Sequence, residues 1–197
     1  MSVVIVKYNA GNIRSVLCAL NRLNIQSEVT DDVKKMRNAS RVIFPGVGEA
    51  SSAMRYLKES HLDEVLTTLE QPFLGICLGL QLMCETSEEN STSCLSIFST
   101  PVKKFILPDG IKVPHMGWNT ITHSDDYLFK GVPQESYAYF VHSYYAALSS
   151  DTIASSTYGG LSFSASLKRG NYRGVQFHPE KSGTVGSLIL ENFLKGE

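Results

Sequence analysis

The stretch FLGICLGLQL, Phe73 to Leu82, sets Cys77 between Gly75 and Gly79 at the end of a short apolar run. A plain core strand needs glycine at neither position. A strand that turns sharply into a helix does, because small neighbours let the backbone fold tightly and leave the tip side chain above the sheet edge. A cysteine held there is a nucleophile. The amides and positive dipole end of the following helix favour its thiolate, and the amide of Leu78 points toward an oxyanion formed on attack. PGVG, Pro45 to Gly48, follows the preceding strand. In a parallel sheet this loop reaches the same carboxyl edge, where its amides offer the other half of an oxyanion hole. A thiol nucleophile also needs a base. Of the five histidines, His178 stands out, in GVQFHPEKSG. It ends a strand, Pro179 stiffens the chain after it, and Glu180 lies two residues on, on the same side of an extended segment. A carboxylate so placed holds the imidazole tautomer and stabilises imidazolium. His61 and His123 lie in polar surroundings and read as solvent-exposed. Cys18, Cys84 and Cys94 read as buried structural thiols.

The elements that must hold these groups alternate through the first half. VVIVKY reads as a buried strand, and NAGN as a turn in which Asn12 can cap the next helix. Ile13, Val16, Leu17, Leu20 and Leu23 recur at helical spacing. IQSEV, RVIFPGVG and PFLGI are further strands. Helical stretches carry Ala53, Met54, Leu57, Leu62, Val65, Leu66 and Leu69, and LGLQLMCETSEE reads as the helix after Cys77. Strand–helix alternation implies a mainly parallel α/β sheet flanked by helices. The second half changes character. PVKKFI, KVPHMGWNTI, YAYFVHSYYA, TIASSTY, LSFSASL and YRGVQF are strand-like, with YGGL as a hairpin turn, which implies antiparallel strands there. A last amphipathic helix carries Val185, Leu188, Ile189, Leu190, Phe193 and Leu194. SEENSTSC is the most loop-like segment.

With 197 residues, 43% of them hydrophobic, residues 1–197 read as one domain with a real core. The formal net charge of −1 gives no basic excess for nucleic acid or a membrane surface. The N-terminal apolar run is too short for a signal peptide or span, so a cytoplasmic protein is expected. No C-x-x-C pair suggests a zinc or thioredoxin-like site. No G-x-G-x-x-G or P-loop suggests a nucleotide cofactor, so neither metal nor cofactor is expected.

PGVG, GICLGLQ and QFHPEKSG, in this order along the chain, resemble the class I glutamine amidotransferases, whose fold is flavodoxin-like. KVPHMGWNT and YFVHSYY are similar to the branch of that family formed by the glutaminase subunits of imidazole glycerol phosphate synthases in histidine biosynthesis. The resemblance runs from YNAGNIRSV to the C-terminal helix. It implies a Cys77–His178–Glu180 triad that hydrolyses glutamine to glutamate and ammonia through a glutamyl thioester. The oxyanion would rest on Leu78 and the Val47–Gly48 turn. Gln81, one helical turn past Cys77, matches a glutamine-binding position, and Glu89 a contact to the substrate amino group. Backbone around His142, Ser143 and Tyr144 would hold the substrate carboxylate. The implied partner is a (β/α)8-barrel cyclase subunit in a heterodimer, which takes the ammonia directly, stimulates the glutaminase and yields imidazole glycerol phosphate and aminoimidazole carboxamide ribonucleotide. Asn12, Met116, Trp118, Tyr139 and Lys181 are the candidate interface residues. After Glu89 the chain departs from the family's glycine-rich connection with NSTSCLSIFST. Other readings remain open on sequence. The same glutaminase could serve another acceptor, such as a surface-sugar amidotransferase. The chain could be a non-catalytic binding subunit, against which the complete triad speaks. It could be a cysteine peptidase, against which Gln81 and Glu89 speak.

Overall fold

A computed structural model describes residues 1–9 and 11–196. In chain order the elements are β1 (Val3–Val6), α1 (Ile13–Arg22), β2 (Ser27–Thr30), α2 (Val33–Asn38), β3 (Arg41–Gly46), α3 (Ala50–Glu59), α4 (Leu62–Leu66), β4 (Phe73–Cys77) and α5 (Leu78–Met83). The two short strands β5 (Thr86–Ser87) and β6 (Thr92–Ser93) follow, then β7 (Pro101–Lys104), β8 (His115–His123), β9 (Ser136–His142), β10 (Tyr144–Ala146), β11 (Thr152–Tyr158), β12 (Leu161–Arg169), β13 (Tyr172–Val175) and α6 (Gly183–Lys195).

A nine-stranded sheet runs β2-β1-β3-β4-β13-β12-β11-β8-β9. Its first five strands are parallel and the rest antiparallel, so the change of character expected between the halves is present. The parallel part has the 2-1-3-4-5 order of flavodoxin-like sheets. A second sheet, β10-β7-β5-β6, packs beside it. Helices cover both faces of the large sheet. Met36, Leu57, Leu66 and Leu80 of α2 to α5 pack on Phe44 and Phe73. On the other face Val16 and Leu20 of α1 and Ile189 and Phe193 of α6 pack with Ile5, Ile43 and Phe177. Strands β1, β3 and β4 are buried on both faces, which is why VVIV and FLGIC are continuous apolar runs and do not alternate. Among the described residues no helix is long and apolar enough to cross a membrane.

The structure corrects four expectations. The helix after Cys77 stops at Met83, short of CETSEE. The carbonyls of Leu82, Met83 and Cys84 accept from the amides of Leu95, Phe98 and Ser96, so long-range bonds replace the next helical turn. SEENSTSC is not plain loop: Thr86–Ser87 pairs with Thr92–Ser93 around a short 3-10 turn. YAYFVHSYYA is two strands, because the chain leaves the large sheet after His142 and enters the small one at Tyr144. Cys18 is exposed rather than buried, since α1 turns Val16, Ala19 and Leu20 inward and leaves Cys18 on the opposite side.

Candidate active site

Cys77 is the last residue of β4, with φ 54° and ψ −109°, and α5 begins at the next residue. A non-glycine residue held there is strained, as at other functional turns. The flanking glycines serve packing more than the turn itself. A Cβ on Gly79 would fall on the carbonyl oxygen of Phe44, and one on Gly75 on the Met83 sulfur. Both glycines therefore let α5 lie directly on the strands beneath it. The sheet register sets Gly46, at the end of β3, opposite Cys77, which brings the Val47–Gly48 loop beside the sulfur. Below that loop the buried Tyr8 hydroxyl donates to the Pro45 carbonyl at 2.9 Å.

Strand β13 pairs with β4 up to Val175 and Ile76, and three residues later the chain delivers His178 to the same edge. His178 Nδ1 lies 2.8 Å from Glu180 Oε1, both side chains fully buried. His178 Nε2 is buried without a hydrogen-bond partner, on the side toward Cys77. Burial opposes charge on this imidazole, but Cys77 and then Glu180 more than reverse it, and the pKa is pushed up to about 10. The thiol of Cys77 donates to the Val141 carbonyl at 3.8 Å, and Gln176 Nε2 donates to the sulfur at 3.7 Å.

The group formed by Cys77, His178 and Glu180 lies along the outer edge of β9. Tyr139, in the middle of that strand, accepts from the His178 amide at 2.8 Å through its carbonyl. Its own amide donates to Ser182 Oγ at 2.9 Å. Two residues on, Val141 receives Cys77. A Cβ on Gly186 would fall on the Pro179 carbonyl, so α6 also presses against the turn that carries Glu180.

A cleft of about 300 Å³ opens over Cys77. It is lined by Val47, Gly48, Leu78, Gln81, Glu89, His142, Ser143 and Tyr144, which are the oxyanion and substrate residues expected from sequence. Pro114 and Val141 complete the wall and were not foreseen. Gln81 Nε2 is engaged within the protein, donating to the Tyr144 carbonyl at 2.8 Å and to Gln176 Oε1 at 2.9 Å. Glu89 Oε2 accepts from the Ala50 amide at 2.7 Å, and burial raises its pKa. One carboxylate oxygen there remains for a ligand cation. Glycine-poor NSTSCLSIFST therefore still delivers Glu89 to the cleft.

Of the interface candidates, Met116, Trp118 and Lys181 are exposed and Tyr139 is half-buried. The register pairs Met116 with Val141 and Trp118 with Tyr139 on one face of the β8–β9 pair. Trp118 meets Tyr139 edge to face at 5.9 Å, and Lys181 Nζ sits 5.8 Å from the Tyr139 ring. Asn12 does not cap α1. It takes a left-handed conformation, φ 89°, and its side chain donates to Glu180 Oε1 at 2.6 Å. The Glu180 carboxylate thus has a second donor that the sequence did not announce, 168 positions away in the chain.

A family model described as "Glutamine amidotransferase class-I" matches residues 5–196. Curated relatives named "Imidazole glycerol phosphate synthase subunit HisH" include one from Bacteroides fragilis, 52% identical over 99% of this chain and 100% of its own length. Another, from Bacteroides thetaiotaomicron, is 50% identical over 98% of this chain and 99% of its own length. Solved structures of the same fold include one described as a glutamine amidotransferase, with TM-score 0.74 at 16% identity over 98% of this chain and 96% of that one. PurLQS from Thermotoga maritima matches with TM-score 0.70 at 16% identity over 98% and 97%.

Proposed function

The chain belongs to the class I glutamine amidotransferases, and from that premise we propose that it is the glutaminase subunit of an imidazole glycerol phosphate synthase acting in histidine biosynthesis. The observation that carries the chemistry is the cleft that gathers Cys77, two glycine-turn loops and the substrate residues above a buried His178–Glu180 pair. Cys77 sulfur attacks the side-chain amide carbon of glutamine. The tetrahedral oxyanion rests on amides of Leu78 and the Val47–Gly48 turn. His178 gives its proton to the amide nitrogen, which leaves as ammonia, and a glutamyl thioester remains. Water, deprotonated by His178, then hydrolyses the thioester to glutamate and frees the thiol. Glu180 keeps the imidazole oriented throughout. Glu89 faces the substrate amino group, and backbone at His142 to Tyr144 its carboxylate.

The partner in this reading is a barrel-shaped cyclase subunit. Met116, Trp118, Tyr139 and Lys181 form a contiguous aromatic and cationic face, of the composition found at interface hot spots. Val141 lines the cleft and pairs with Met116 of that face, which supports transfer of ammonia toward a partner seated there. The reading places the enzyme in the cytoplasm. The test is Cys77→Ala assayed with the histidine-pathway cyclase and its nucleotide substrate. Glutamine-dependent synthesis should be lost while synthesis from added ammonium chloride persists. Retained glutamine turnover would overturn the assignment of the nucleophile. Failure of the wild-type chain to support either reaction with that cyclase would move it to another acceptor.

A further inference from the structure

The small-sheet ladder fixes how Tyr144 meets the cleft. The Phe105 amide donates to the Ser143 carbonyl at 3.1 Å, and the Ala147 amide to the Pro101 carbonyl at 3.0 Å. Between them Tyr144 pairs with Lys104, Tyr145 with Lys103 and Ala146 with Val102. Bonded and non-bonded pairs alternate in an antiparallel ladder. Ser143, Tyr145 and Ala147 therefore face β7, and Tyr144 turns both its N–H and its C=O to the open edge of β10. That edge borders the cleft. An open edge is ambivalent toward an anion, because the amide attracts it and the carbonyl beside it repels it.

Here the carbonyl is saturated. Gln81 Nε2 donates to it at 2.8 Å and His142 Nδ1 at 2.7 Å, which uses both lone pairs. The second bond dictates a chain of tautomers. A carbonyl only accepts, so His142 carries its proton on Nδ1 and its Nε2 is an acceptor. The donor is His115 Nδ1 at 2.9 Å. His115 Nε2 then accepts, with Asn119 Nδ2 at 3.3 Å. Asn119 is itself fixed, since its Nδ2 also donates to the Thr157 carbonyl and its Oδ1 accepts from the Thr120 amide. The His115 ring is held between Phe140 and Tyr158, stacked at 4.9 and 4.1 Å. Such a chain works only with both imidazoles neutral, and burial ensures it, pushing His115 down to about 4 and His142 to about 3.

We propose that Asn119, His115 and His142 are a positioning relay which, with Gln81, saturates the Tyr144 carbonyl and leaves the Tyr144 N–H as the donor to the substrate's α-carboxylate. This rests on the glutaminase reading above. The relay governs affinity for glutamine and not the chemistry at Cys77, which it does not touch.

The experiment measures glutamine kinetics of the chain with its cyclase for His142→Leu, His142→Asn, His115→Phe and wild type, each checked for folding by thermal melting. His142→Leu removes the donor and should raise KM at least tenfold with kcat reduced less than threefold. His142→Asn keeps a donor near the Nδ1 position and should recover most of the affinity. His115→Phe keeps the stacking, breaks the relay and should raise KM about threefold; it decides the matter if His142→Leu does not fold. An unchanged KM in folded variants, a loss confined to kcat, or no difference between Asn and Leu at position 142 would overturn the relay. A wild-type complex that hydrolyses no glutamine would instead overturn the reading it rests on.

Discussion

Glu180 Oε1 receives two donors, His178 Nδ1 and Asn12 Nδ2, at 2.8 and 2.6 Å. A carboxylate held by one donor can swing; held by two it presents a fixed oxygen to the imidazole. Asn12→Ala should therefore lower kcat about tenfold, a part of the roughly 10²–10⁴-fold that general acid–base catalysis contributes, with little change in KM, as steady-state glutamine hydrolysis will show. An unchanged kcat would reduce Asn12 to a surface residue of the docking face. At this level the sequence was informative wherever chemistry follows from local spacing. G-x-C-x-G, H-P-E and PGVG each name their residues without a fold. The Asn12–Glu180 bond, the Gln176 contact to sulfur and the Val141 carbonyl that receives the thiol join distant segments. No local pattern encodes them.

The glycines around Cys77 matter through the elements they let approach. A Cβ on Gly79 has no room against the Phe44 carbonyl, which is backbone and cannot step aside. Gly79→Ala should cost about 1–3 kcal/mol by overpacking, read as a lower urea midpoint, and should lower glutaminase activity because α5 carries Leu78. Wild-type stability in that variant would show that α5 can slide. The proposed docking face is likewise a property of paired strands. Trp118→Ala should weaken binding of the cyclase by about 2 kcal/mol or more, measured by titration calorimetry; an unaltered affinity would move the interface elsewhere. Strands and most helices were legible because their apolar periods are long. The stop of α5 at Met83 was not, since its last carbonyls bond to a loop more than ten residues later. Local propensity in CETSEE gave way to those bonds. The break at Ser143 was hidden for the same reason: YFVHSYYA is strand-like throughout, and only the two sheets together require it to divide.

For the molecule as a whole, the buried pair His115–His142 ties stability to pH. Both fold values lie below the ordinary 6.5, at about 4 and about 3, with burial the main cause. The unfolded chain binds these protons first, so the contribution is fully present above pH 6.5 and is lost as pH falls toward 3. Urea unfolding at pH 4.5 should show a loss on the order of 2 kcal/mol per histidine relative to pH 7, with proton uptake on unfolding; a flat profile would refute neutral burial of the pair. A mainly parallel sheet followed by antiparallel strands was readable from alternation, whereas the order of the strands, and which one would end the sheet, was not. That strand is β9, and its outer edge has a further consequence. A free edge invites a second chain to add a strand, and proteins guard against this with charges, bulges or cover. Here the cover comes from the candidate site, since Tyr139 spends its carbonyl on His178 and its amide on Ser182, and the Val141 carbonyl receives Cys77. Under the proposed function, selection for turnover and selection against aggregation act on the same bonds, and a chain that loses the turn at His178 loses the protection of its sheet as well.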